Sequence, residues 1–151
     1  MGEVVKHINI DAIEKIIADN NKPIELPLVH RFTDGIYVRE IFMPKGTLLT
    51  SKIHKTRHQF MVLKGEVSVL DEQGNEVRIT APHIGITEIG TRRVLFIHED
   101  CIWATVHANP NNENEVEIEA RIIEPHDNEL LSEGIKEAYQ KILSQNKTTV
   151  L

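Results

Sequence analysis

Between residues 26 and 107 the chain is a succession of short runs in which apolar and polar residues alternate, cut at short intervals by turn residues. Period-two alternation puts successive side chains on opposite faces of an extended strand. It predicts strands over 28–32, 36–43, 59–70, 76–80, 84–89, 94–97 and 102–106. The breaks carry turn chemistry: Thr33-Asp34-Gly35, Pro44-Lys45-Gly46, Asp71-Glu72-Gln73-Gly74-Asn75 and His98-Glu99-Asp100. A last strand is expected over 116–123, where Val116, Ile118, Ala120 and Ile122 alternate with Glu117, Glu119 and Arg121. Many short strands with few helices point to a small β-barrel or jelly roll.

The ends read differently. Asp11 and Glu14 have capping-box spacing, and Ile13, Ile16 and Ile17 form one apolar stripe, so a short helix is expected over 11–20. A second helix is expected over 128–145, capped near Asp127. The division expected is an N-terminal helical segment over 1–25, a barrel over 26–125 and a C-terminal helix over 126–151, all within one domain.

Within the barrel region, His54 and His58 are separated by three residues and lead directly into the run from Gln59 to Val69. On a helix that spacing places both imidazoles on one face. Pro44 and Gly46 before the pair, and the alternation of Val62, Val67 and Val69 after it, argue against a helix. In a straight strand four residues span roughly 13 Å, too far for one ion. The pair therefore converges only if the chain turns at Lys55-Thr56-Arg57; otherwise these are two surface histidines beside basic residues. A third imidazole, His107, ends the run from Ile102 to His107. Three neutral imidazoles in a β-rich fold can hold a divalent metal and leave a position open for chemistry.

The spacing around the pair resembles the first motif of the cupin superfamily. Gly46 is followed by five residues to Lys52, one more to His54, three more to His58 and six more to Gly65. Lys52 stands where that motif has its first His, and His58 where it has Glu. In the second motif Gly90 matches, while Glu88, Arg93 and Ile97 occupy its Pro, His and Asn positions. The resemblance covers about residues 36–123 and implies a cupin barrel flanked by short N-terminal and C-terminal helices. It implies a small-molecule protein, metal-dependent in many members and of oxygenase or isomerase type when catalytic. The segments 90–93 and 103–107 also resemble small cupin-like proteins of phage genomes.

If residues 98–100 form a hairpin loop, Leu95 opposes Trp103, Arg93 opposes Thr105 and Thr91 opposes His107. Arg93 and His107 then share the face that looks into a cupin barrel, and His107 replaces the His that the second motif lacks. The candidate metal ligands are His54, His58 and His107, for Fe, Mn, Zn or Ni. Lys52, Arg93 and Trp103 are the candidate ligand-binding residues. An Arg at the barrel mouth is a fork for a carboxylate or phosphate; the plainer alternative is a surface ion pair with Glu88. Two readings besides a metal enzyme follow: a binding module holding an anionic small molecule such as a sugar acid or nucleotide, and a structural virion protein.

Composition narrows the classes. A net charge of −6 argues against broad nucleic-acid binding. The single cysteine, Cys101, excludes an internal disulfide and fits a reducing compartment such as the cytoplasm, a host's if the gene is of phage origin. No run approaches 18 apolar residues, so no membrane span is expected. A homodimer is expected, because small open barrels need their edge strands covered and Val4, Val5, Ile8 and Ile10 exceed what one short helix buries.

Overall fold

A computed structural model describes residue 10, residues 26–124 and residues 130–131. The helix expected over 11–20 lies outside these residues, as does most of that expected over 128–145.

The strands are β1 (Leu28–Thr33), β2 (Gly35–Met43), β3 (Leu48–Thr50), β4 (His58–Asp71), β5 (Glu76–Thr80), β6 (His83–Thr87) and β7 (Arg93–Asn109). They are followed by helix α1 (Glu115–Ile122) and a two-residue strand, β8 (Leu130–Leu131). All pairings are antiparallel, and one path runs β1-β2-β7-β3-β8 while β4 pairs with β5, β6 and β7. The expectation of a mainly β, cupin-like barrel holds.

β7 organises the barrel. Its 17 residues pair with β2, β3 and β4, so one strand touches both walls. The sequence suggested a hairpin here, with 98–100 as its loop. Instead the chain runs straight through, and Arg93 pairs with Asp71 while Thr105 pairs with Phe60. The polar residues His98, Glu99 and Asp100 mark a bend. Register shifts between Val62 and Val67 on β4 face it, as bulges do where strands curve. Gly65 sits at that bend with φ +93°, and a Cβ there would meet the Asp100 carbonyl oxygen at 2.3 Å. Only glycine allows this approach. His98 is half-buried in β7, where its Nε2 lies 2.7 Å from the Ser68 hydroxyl, and is not a turn residue.

Alternation survives the bend because the step across it, from Ile97 to Cys101, is four residues and therefore even. Leu95, Ile97, Cys101 and Trp103 all join the main core with Met43, Leu49, Phe60, Val62, Val67 and Val69. Burial raises the Cys101 thiol to about 11, so it is an inert core residue rather than a nucleophile.

Of residues 116–123, expected as a strand, 116–122 lie in α1 and Ile123 is its extended C-cap. Asn114 accepts from the Glu117 backbone N–H while the Glu117 carboxylate accepts from the Asn114 N–H, a capping box that fixes the helix start. The apolar residues fit both periods. In the helix only Ile118 and Ile122, four apart, are buried, at 0% and 1% exposure, while Val116 is 78% exposed. They pack on Tyr37 and Ile123 as a second cluster that closes one end of the barrel. Residues 130–131, placed by sequence in a C-terminal helix, are extended and pair with β3.

Candidate metal centre

His54 and His58 meet because the chain bends between them. His54 forms an isolated bridge with Ile123, residues 55–56 are a bend, and His58 opens β4. His107 points inward from the far half of β7. The three rings lie 4.3 Å (54–58), 4.6 Å (58–107) and 5.7 Å (54–107) apart between centroids. One nitrogen from each comes within 4.8 Å of the others. Among the described residues this is the one group of three or more His, Cys, Asp or Glu side chains that could hold a metal.

Each imidazole has one nitrogen engaged. His58 Nδ1–H donates to the Thr56 carbonyl at 3.0 Å, which leaves the Nε2 lone pair free. A His54 ring N–H donates to the Lys52 carbonyl. His107 Nε2 lies 2.8 Å from the Thr105 hydroxyl, and its Nδ1 is buried with no hydrogen-bond partner. A buried polar atom left without a partner is costly. A cation beside Nδ1 would satisfy it, and the outer bonds are those that orient metal-bound histidines. An all-imidazole donor set is of the kind that suits Zn, Fe or Ni rather than Mn, which favours carboxylate and water oxygens.

The rings are neutral. Burial, then the neighbouring His58, hold His54 at about 3; burial, then His58 and His54, hold His107 at about 3. Burial also lowers His58, with the Thr56 hydrogen bond opposing and Arg93 assisting. Neutral imidazole is the ligating form.

Two spaces that share lining residues open beside His54 and His58. The larger, about 490 Å³, is lined by Arg39, Lys52, His54 and Thr105 on its polar side and by Ile41, Met43, Leu49, Leu95 and Trp103 on its apolar side. The smaller, about 60 Å³, adds His58, Thr87, Thr91 and Arg93. Neither is lined by an Asp or Glu, in a chain with 23 of them.

The residues singled out by sequence all reach this region, on terms that differ from expectation. Trp103 stacks on Phe60 at 4.6 Å and is both core and cavity wall. Arg93 does not pair with Glu88, which binds Arg57 instead; its guanidinium carbon lies 5.2 Å over the Phe60 ring. Lys52 donates to Glu119 at 2.8 Å, so α1 already neutralises it. Arg39 was missed. It shares the inward parity of Tyr37, Ile41 and Met43 on β2, and that parity was the signal that could have found it.

No protein-family model matches the chain, and no curated protein sequence does. Solved structures do match. A protein with a double-stranded β-helix domain from Klebsiella pneumoniae is 18% identical, with 64% of this chain and 90% of that one covered and a TM-score of 0.48. An RmlC-like cupin from Methanocaldococcus jannaschii is 12% identical, covering 56% and 80% at a TM-score of 0.46. Ectoine synthase from P. lautus is 15% identical and covers 85% and 90% at a TM-score of 0.54. The chain has the cupin fold. Within the barrel His54 and His58, the two histidines of the first-motif spacing, line the cavities, and His107 lies behind them with its ring 4.6 Å from that of His58. The cupin fold hosts unrelated activities, so the fold alone does not fix the chemistry of this site.

Proposed function

We propose that this cupin holds a divalent metal on His54, His58 and His107 and acts on an anionic small molecule in the adjoining cavity. The observation that carries the metal reading is the buried, unpartnered Nδ1 of His107, within a cluster whose outer nitrogens are already engaged. A metal there supplies Lewis-acid polarisation or an activated water. The chain's own residues do the rest. Thr56, Thr105 and the Lys52 carbonyl fix the ring orientations. The apolar wall excludes water. Arg39 and Arg93 attract an anion, and no lining carboxylate repels one. An oxygenase or isomerase type of reaction fits an open metal position beside a cavity of this size.

The test is metal analysis of protein purified without a histidine tag. About one equivalent of metal is expected. His58→Ala is expected to weaken binding by at least about 100-fold, since even outer-sphere partners are worth 10- to 100-fold. His98→Ala, bonded to Ser68 away from the site, is expected to leave it unchanged. Equal metal content in the two variants would overturn the metal reading.

A further inference from the structure

The cavity's lining distinguishes among anions. Of its thirteen lining residues, seven are Leu, Ile, Met or Trp. Three more are Thr or Ser, and the charged residues are Arg39 and Lys52. Lys52 is engaged by Glu119 at 2.8 Å. Arg39 is half-buried and forms no salt bridge among the described residues, in contrast to Arg31, Arg57, Arg78 and Arg121, each of which has a glutamate. The charge of Arg39 acts on Glu119 without a contact salt bridge, and its planar fork matches a carboxylate in two parallel hydrogen bonds.

Arg39 also stands at a boundary. On the inward face of β2 it follows Tyr37 and precedes Ile41 and Met43, which sink toward the core. Across the β2–β7 pairing it faces Thr105, two residues from His107 and two from Trp103. A ligand whose acid group meets Arg39 therefore has the imidazoles on one side and an apolar wall on the other.

From this placement we infer that the ligand is a small monocarboxylic acid with an apolar body. Its carboxylate sits in the Arg39 fork, and its alkyl or aryl portion lies against Trp103, Ile41 and Leu49. The inference deepens the anionic-ligand reading above, and it narrows the sugar-acid and nucleotide alternatives. A polyol would leave hydroxyls against Leu and Ile, where unpaired polar groups are penalised. A phosphate dianion would have no amide-rich loop to receive it.

Calorimetric titration tests the idea on the full chain, both EDTA-treated and loaded with Ni²⁺. The probes are hexanoate, 4-phenylbutanoate, their amides, phenyl phosphate and gluconate. The two carboxylates are expected to bind, and each amide at least about tenfold more weakly, because a charge-assisted hydrogen bond is lost. Arg39→Met is expected to weaken the carboxylates by roughly 10- to 100-fold, and Lys52→Met by much less. Comparing acid with amide on the unaltered protein keeps the test valid if Arg39→Met does not fold. Equal binding of acid and amide, tighter binding of gluconate or phenyl phosphate, or no carboxylate binding in either form would overturn the inference. Arg39-dependent binding in the EDTA-treated protein supports it whether or not metal is found, so its fate is separable from that of the metal centre.

Discussion

Acidification is expected to unfold this protein through its central histidines. His54 and His107 are held at about 3 in the fold against 6.5 when free. The unfolded chain thus takes up protons that the folded one refuses. The stability these residues contribute is complete above about pH 6.5 and is lost as the pH falls toward 3. At about pH 5 an unfolded histidine is protonated over roughly 1.5 pH units that its folded counterpart does not share. That is about 2 kcal/mol each, or about 4 kcal/mol for the pair. For a chain of this length 1 kcal/mol moves Tm by roughly 2–4 °C, so a drop of about 10 °C is expected between about pH 8 and pH 5. The assay is thermal melting followed by circular dichroism on EDTA-treated protein, compared with a His54→Gln, His107→Gln double variant. The double variant removes both titrating rings, so its Tm should fall much less over the same range. Equal pH slopes in the two proteins would refute the reasoning, because other groups would then account for the acid sensitivity.

Other outcomes follow from the same geometry. Zinc should raise Tm at about pH 8 and lose that effect near pH 5, since protons and metal compete for the same nitrogens; a metal-induced shift independent of pH would count against ligation by these rings. Ile118→Ala empties a fully buried position under the barrel end and should cost about 2–5 kcal/mol in urea unfolding; a loss under 1 kcal/mol would mean that α1 does not seal the core. Gly65→Ala should give little folded protein, because its Cβ meets the Asp100 carbonyl at 2.3 Å; a normal yield with unchanged Tm would contradict the bend described. A homodimer is expected from the exposed Val29 and Phe32 on edge strand β1, and light scattering at the monomer mass across micromolar concentrations would refute it.

Most of the barrel was legible because its strands obey a local rule. β5 and β6 alternate throughout and β4 does so over Glu66–Val69, and the turns before β2 and between β4 and β5 carry Gly, Asp or Asn. Two elements misled for opposite reasons. In 98–100, polar residues signalled a turn, yet on a curved strand the same residues are what the solvent side of a bend requires. In 116–122, apolar residues at every second position also supply the i,i+4 pair Ile118 and Ile122, so both periods were present. Asn114 and Glu117 were the deciding signal, and it lay in the capping chemistry rather than in the hydrophobic pattern.

The site was legible in part. His54 and His58 were readable because first-motif spacing and Gly65 bracket them. His107 and Arg93 were placed on the right face through a hairpin that does not exist; parity along one strand gives the same face. The pairing of Lys52 with Glu119 was not readable, since it depends on α1 crossing the barrel end 67 residues later in the chain. Arg39 escaped because a single arginine in a strand reads as a solvated one unless its neighbours' parity is weighed.

The continuity of β7 has a consequence for how this chain tolerates changes of length. Arg93 and Leu95 before the bend, and Trp103, Thr105 and His107 after it, are kept in phase by the count of residues between them. A loop could absorb a single inserted residue, but a strand paired on both sides transmits it as a reversal of every side chain beyond. One extra residue at 98–100 would leave Arg93 facing the cavity and swing His107 and Trp103 outward; two would restore the phase. The stretch that looks most like a loop by composition is thus the one where length is counted in pairs, and the histidine side and the Arg93 side of the site are geared together through it.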